Sequence, residues 1–180
     1  MANFAAQEVE TTESLAAARR MPSELQAQLN DQFMRELEAS YLYLSLSNYF
    51  EAIGLSGFAH WMKAQCQEEQ EHAMKIFAFM HDRGVEVELA GLAKPVCEFS
   101  SPLDALERGL AQERFNTLSI KSIYGAAQKA EEWDLVTFMN WFLHEQVEEE
   151  NSFCKLITDV KRGSADQSVI LFLDRELAKR

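Results

Sequence analysis

The sequence predicts an all-α protein: a four-helix up-down-down-up bundle with a long connection between its second and third helices and a short fifth helix at the C-terminal end. Three observations lead there. Four long stretches carry apolar side chains at alternating spacings of three and four, the period of one face of a helix. Glycine and proline are scarce, seven and three in 180 residues, and most fall where a helical pattern begins or ends. Residues 85–101 break the period, include Gly91 and Pro95, and are long enough to carry the chain back along a bundle.

The elements follow in order. Residues 1–20 mix Ala and Thr with Glu8, Glu10 and Glu13 and close on Arg19-Arg20, which predicts a mobile tail ahead of one domain over residues 21–180. The first helix is expected from near Pro22 to about Glu51, ended by Gly54; Ser56 is the expected cap of a second helix that runs to Arg83 and stops at Gly84. A turn this short makes the pair antiparallel. Ser100-Ser101-Pro102 is a start signal for a third helix reaching about Ala130, since proline in a first turn forfeits no helical hydrogen bond. A fourth is expected from about Glu132 to Arg162, ended by Gly163, and Val169 to Leu177 form a short fifth. Met62, Met74, Met80 and Met139 are expected as ordinary core side chains, and His60, His81 and His144 as surface or packing residues.

Each long stripe has an acidic intruder. The inward walk of the first helix reads Leu29, Phe33, Glu36, Ser40, Tyr43, Ser47, Phe50. In the second it reads Phe58, Met62, Gln65, Glu69, His72, Ile76, Phe79, placing a carboxylate and an imidazole one turn apart. The third contributes Glu113 between Leu110 and Thr117, and the fourth Gln146 and Glu149 between Phe142 and Phe153. An unpaired carboxylate in a bundle core costs several kcal/mol or takes up a proton. No Lys or Arg shares these stripes, so the sequence calls for a cation, and a pair of metal ions supplies it.

Composition narrows the partners. A net charge of -12 argues against nucleic acid and anionic membrane surfaces, which need clustered Lys and Arg, and favours cations. No run approaches the roughly 20 apolar residues of a membrane span, and the first 20 residues lack the apolar core of a signal peptide. Cys66, Cys97 and Cys154 form no ligand spacing, and their odd number fits a reducing, cytoplasmic setting with ordinary thiols.

In the general di-iron carboxylate bundle two helices give one Glu each and two give Glu-x-x-His. Here Glu69-Gln70-Glu71-His72 is intact, whereas the fourth helix reads Gln146-Val147-Glu148-Glu149. The two metal positions are therefore unequal: one of Glu36, Glu69 and His72, the other of Glu69 as a bridge, Glu113 and Glu149, with Gln146 as a hydrogen-bonding neighbour. Oxygen ligands with one imidazole suit Fe(II) or Mn(II). A site that must release its metal favours iron as substrate over iron as fixed cofactor. Glu68, Glu145 and Glu148 flank it, as a third metal position or as part of a solvated acidic face. Tyr43, two turns after Glu36, is either an electron donor to the centre or plain core. A small di-iron oxygenase or peroxidase and a bundle that binds no metal are the other readings.

Glu36 with Tyr43 seven residues on, Glu68-Glu69-x-x-His72, Glu113 and the run Glu145-Gln146-Val147-Glu148-Glu149 resemble the ferroxidase centre of the non-haem ferritins, over roughly Met21 to Leu177. The resemblance implies a ferritin-like fold. It implies catalytic roles for Glu36, Glu69, His72, Glu113, Tyr43 and Gln146, and a third iron site at Glu68, Glu145, Glu148 and Glu149. It implies oxidation of Fe(II) by O2 or H2O2 and storage of Fe(III) oxyhydroxide in a homo-oligomeric shell of twenty-four chains. Bacterioferritins carry a haem-ligating methionine directly after the bridging glutamate; Gln70 stands there, so no haem is expected. The acidic residues lining the three-fold channel of animal-type ferritins correspond to Val136 and Met139.

Overall fold

The computed structural model describes residues 21–163 and 166–179; the tail expected over residues 1–20 lies outside them. Five helices occur among the described residues: α1 (Ser23–Ala52), α2 (Ser56–Asp82), α3 (Pro102–Lys129), α4 (Trp133–Arg162) and α5 (Gln167–Leu177). None is long and apolar enough to cross a membrane. Helices α1 and α2 pack as one hairpin, α3 and α4 as a second; the hairpins meet through α1 and α3, and α5 lies against α2.

Two apolar clusters show the topology. One gathers Leu46 and Phe50 of α1, Phe58 and Met62 of α2, Leu106 and Leu110 of α3, and Phe153 and Leu156 of α4. The other gathers Leu25 and Phe33, Ile76 and Met80, Ile120 and Ala127, and Leu135 and Met139. The start of α3 therefore lies beside the start of α2, so these two run parallel and the order is up-down-down-up. The connection between them must travel the bundle's length. It does so along α1: Asn30 exchanges hydrogen bonds with the main chain of Glu88 at 2.8 and 3.1 Å, and Ser45 donates to the Val96 carbonyl at 2.7 Å. Eight residues thus span about 22 Å of helix, which demands nearly extended backbone.

The boundaries have local causes. Gly54 and Gly84 sit at φ +78° and +68°, a conformation only glycine adopts without strain, and they end α1 and α2. Ser101 caps α3 by accepting from Asp104 N at 3.1 Å, with Pro102 in the first turn. The start of α2 departs from the sequence expectation. Leu55, not Ser56, is the cap residue, and the cap comes from α5: Asp174 Oδ1 accepts from Gly57 N at 2.7 Å and Phe58 N at 3.0 Å. A Cβ on Gly57 would sit 1.7 Å from the Asp174 carbonyl oxygen, so the glycine is what lets α5 approach. Helix α5 begins at Gln167, two residues earlier than expected. Met74, expected in the core, is 55% exposed; it is two residues, about 200° of helix, from the inward His72. Met62, Met80 and Met139 are buried, His60, His81 and His144 exposed, and the three cysteines form no disulfide.

Candidate metal centre

Between the two apolar clusters lies a buried polar layer to which all four long helices contribute. Glu36 comes from α1, Glu69 and His72 from α2, Glu113 from α3, and Gln146 and Glu149 from α4; every one is buried, Glu113 completely. One donor atom each of Glu36, Glu69 and His72 lie within 4.8 Å of one another, spacing that a single ion spans. His72 Nδ1 stands 3.4 Å from Glu69 Oε2. The stripe periodicity places each carboxylate inward from its own helix, and the packing brings them to one level.

Most of these groups are held by neutral amides or hydroxyls. Gln32 donates to Glu36 Oε1 at 2.8 Å and Asn116 to Glu36 Oε2 at 3.2 Å. Gln65 donates to Glu149 Oε2 at 2.7 Å. Tyr43, fully buried, donates its phenolic proton to Glu113 Oε1, and Gln146 Nε2 reaches Glu113 Oε2 at 3.1 Å. Glu69 is the exception: both oxygens are buried, and no amide, hydroxyl or guanidinium donor meets them. Among the described residues no Lys or Arg pairs with Glu36, Glu69, Glu113 or Glu149, although Arg83, Arg114 and Lys161 all have acidic partners elsewhere. A buried carboxylate with no such donor, set among other acidic groups, carries a charge that the neighbouring side chains leave poorly compensated.

The electrostatics agree. Burial pushes the Glu36 carboxyl well above its usual range, and the Glu69 charge adds to this. Glu69 is raised well above that range too, by burial first and then by Glu113. Glu113 is raised by burial, while hydrogen bonds from Tyr43 and Gln146 pull the other way. Glu149 is pushed up to about 7 by burial and then by the charges of Glu113 and Glu68. Burial and the Glu113 charge hold the Tyr43 phenol well above its ordinary value. With no Lys or Arg paired to it among the described residues, the layer holds its protons to a higher pH than exposed carboxyls do.

The flanking residues separate. Glu68 is half-buried and close enough for its charge to bear on Glu149; Glu145 is half-buried and Glu148 exposed, so neither sits in the buried layer. The Trp141 ring stands edge-on to His72, centroids 5.3 Å apart, with Lys75 Nζ 4.5 Å from its centre. Val136 and Met139 are core side chains at the start of α4. Gln32, Gln65 and Asn116 carry no role in the sequence pattern described above. Their signal is spacing: Gln32 is four residues before Glu36, Gln65 four before Glu69, and Asn116 three after Glu113, so each shares a helix face with a buried carboxyl.

Fold and site together define a four-helix bundle with a buried carboxylate-histidine layer whose donor atoms are spaced for metal. Comparison with known proteins gives the family. The ferritin-like domain matches residues 26–163. A bacterial non-heme ferritin of Staphylococcus haemolyticus is 36% identical over 152 residues, 84% of this chain and 92% of the relative; that of Staphylococcus epidermidis is 34% identical over 160 residues, 89% and 96%. Among solved structures, an open-pore ferritin of Archaeoglobus fulgidus superposes with a TM-score of 0.88 at 38% identity, covering 89% of this chain and 99% of that one. A closed form of that ferritin engineered by site-directed mutagenesis gives 0.87 at the same identity, covering 89% and 98%. The chain belongs to the ferritin family of iron-storage proteins.

Proposed function

We propose that the chain is a ferroxidase and storage subunit, which oxidises Fe(II) with O2 or H2O2 and holds the Fe(III) oxyhydroxide inside a shell of twenty-four copies. The observation that carries this reading is Glu69, a buried carboxylate that no amide, hydroxyl or guanidinium donor meets, with Glu36 and His72 within reach of a shared ion and the Glu113 charge bearing on it.

In this reading Glu36, Glu69 and His72 hold one iron; Glu69 and Glu113 hold the second, with Glu149 near and Gln146 as hydrogen-bonding neighbour. Bound there, Fe(II) supplies electrons to the oxidant. The chain's own groups handle protons and position. Binding displaces protons from carboxyls that burial has kept protonated, so substrate entry and proton release are coupled. Tyr43 would give an electron to the O2 or H2O2 oxidant as its phenolic proton passes to Glu113, the acceptor it faces. Glu68, Glu145, Glu148 and Glu149 form the third iron position, at the rim of the layer, where exposure at Glu148 lets a hydrated ion arrive or leave. An oxygen-rich set with one imidazole holds iron less firmly than a nitrogen and sulfur shell holds zinc, as suits a substrate that must depart.

Aerobic addition of excess Fe(II) to the metal-free protein, followed by size separation and iron analysis, tests the reading. A very large soluble particle retaining far more iron than its ligands can hold is the expected result. A small oligomer with about two irons per chain, as the side-chain count of a di-iron site dictates, would mean a fixed-cofactor enzyme. Replacing Glu69 with Ala is expected to slow the fast phase of Fe(II) oxidation by orders of magnitude; an unchanged fast phase overturns the assignment of the bridge.

A further inference from the structure

One polar chain leads from the buried layer to the surface between α3 and α4, through residues outside the ligand set. Arg114 Nε stands 3.7 Å from Glu150 Oε2. Thr117 Oγ1 donates to Glu150 Oε1 at 2.7 Å, and Gln146 Nε2 lies 3.2 Å from the same Thr117 oxygen. Gln146 Nε2 also reaches the Glu113 main-chain carbonyl at 3.0 Å and Glu113 Oε2 at 3.1 Å.

The direction of each bond follows from the groups. A carboxylate facing a guanidinium only accepts, so Glu150 takes the one proton Thr117 has. The Thr117 oxygen is left able only to accept. The Glu113 carbonyl only accepts by its nature. Every neighbour on this side of Gln146 therefore asks for an N–H, and none of these offers a proton to the amide oxygen. Of the three oxygens around the amide nitrogen, two belong to Glu113, whose carboxylate only accepts once a cation has displaced its proton; Thr117 is then the one whose polarity a neighbour sets, and Glu150 sets it.

We infer that Thr117 and Glu150 are positioning residues that lock the Gln146 amide with its nitrogen toward Glu113, and so keep the second metal position the weaker of the two. The inference rests on the metal-centre reading above. At that position a cation meets an N–H, which it does not bind, where a rotated amide would offer an oxygen. Once a cation draws on the Glu113 carboxylate, the remaining restraint on the amide is the Glu113 carbonyl and Thr117. Removing the Thr117 arm frees the amide to turn. A device of this kind controls how long the second ion stays without contributing a ligand.

The test is anaerobic titration of the metal-free, full-length protein with Co(II), followed by calorimetry and by the visible Co(II) spectrum, in the parent, Thr117→Val, Thr117→Ser and Glu150→Gln. Glu150→Gln keeps the shape but offers N–H groups that let Thr117 turn its proton toward the amide oxygen. The parent is expected to bind in a tighter and a weaker step. In Thr117→Val and Glu150→Gln the weaker step is expected to tighten about five- to tenfold, the scale of one hydrogen bond. Its spectrum should change as an oxygen joins, the tighter step should stay in place, and Thr117→Ser should behave as the parent. A weaker step that is unchanged or loosened in both polarity variants overturns the inference, as does Thr117→Ser matching Thr117→Val. A parent that takes up no Co(II) at all refutes the metal-centre reading itself, and the inference with it.

Discussion

Replacing Glu149 with Gln is expected to stabilise the metal-free protein, and to do so in a pH-dependent way. The substitution removes a buried carboxyl and keeps its shape, and the new amide oxygen still accepts from Gln65, which now bonds Glu149 Oε2 at 2.7 Å. In the parent, burial raises the Glu149 carboxyl from 4.5 to about 7. Between those values the folded chain holds a proton that the unfolded chain has lost. Stability attributable to Glu149 therefore falls as pH rises from about 4.5 to about 7 and stays low above it. A rise of that size corresponds to about 3.4 kcal/mol once the group is ionised in both states. At pH 5 less than about 1 kcal/mol of this has developed. Glu149→Gln should thus gain about 3 kcal/mol over the parent at pH 8 and within about 1 kcal/mol at pH 5. For a chain of this length the pH 8 gain is a rise of about 6–12 °C in melting temperature. Scanning calorimetry of chelator-treated parent and variant at the two pH values measures it. On the proposed reading Glu149 holds metal in the folded state, so added Co(II) should then stabilise the variant less than the parent. A variant that melts lower than the parent at pH 8, or that shifts equally at both pH values, would show that no buried charge is relieved at this position.

Two further outcomes are expected. Adding a redox-inert divalent cation to the metal-free protein should release protons, and the yield should drop by nearly one per chain between pH 6 and pH 8 as Glu149 ionises beforehand; a pH-stat titration with a flat yield would exclude Glu149 from the ligand set. Asp174→Ala removes the cap that α5 gives α2 and should cost about 1–2 kcal/mol, with faster amide exchange at Gly57, Phe58 and along α5; unchanged exchange there would show that α5 is held by its apolar contacts instead.

The helices were legible because their signals are local. Period, capping residues and glycine at left-handed φ act within a few residues of where they stand, and they locate α1 to α4 within a residue or two. The inward direction of Glu36, Glu69, His72, Glu113, Gln146 and Glu149 is also local, since each stripe fixes a side chain relative to its own helix axis; all six are buried. Met74 is exposed although its residue type favours a core, because its angle around α2 turns it away from the inward face.

Local pattern thus specified four amphipathic helices, a connection long enough to return along the bundle, and a buried carboxyl on each inward face. Tertiary structure decided what lies across from what. It brought Asp174 to the start of α2 from 117 residues away, set Tyr43 against Glu113, supplied Gln32, Asn116 and Gln65 as donors, and left Glu69 without one. It also divided a single acidic run, burying Glu149 while exposing Glu148 and half-burying Glu145. The reason is geometric. Periodicity gives an angle about one axis, whereas a partner across the core depends on the relative height and rotation of two axes, and only close packing of all four helices fixes those.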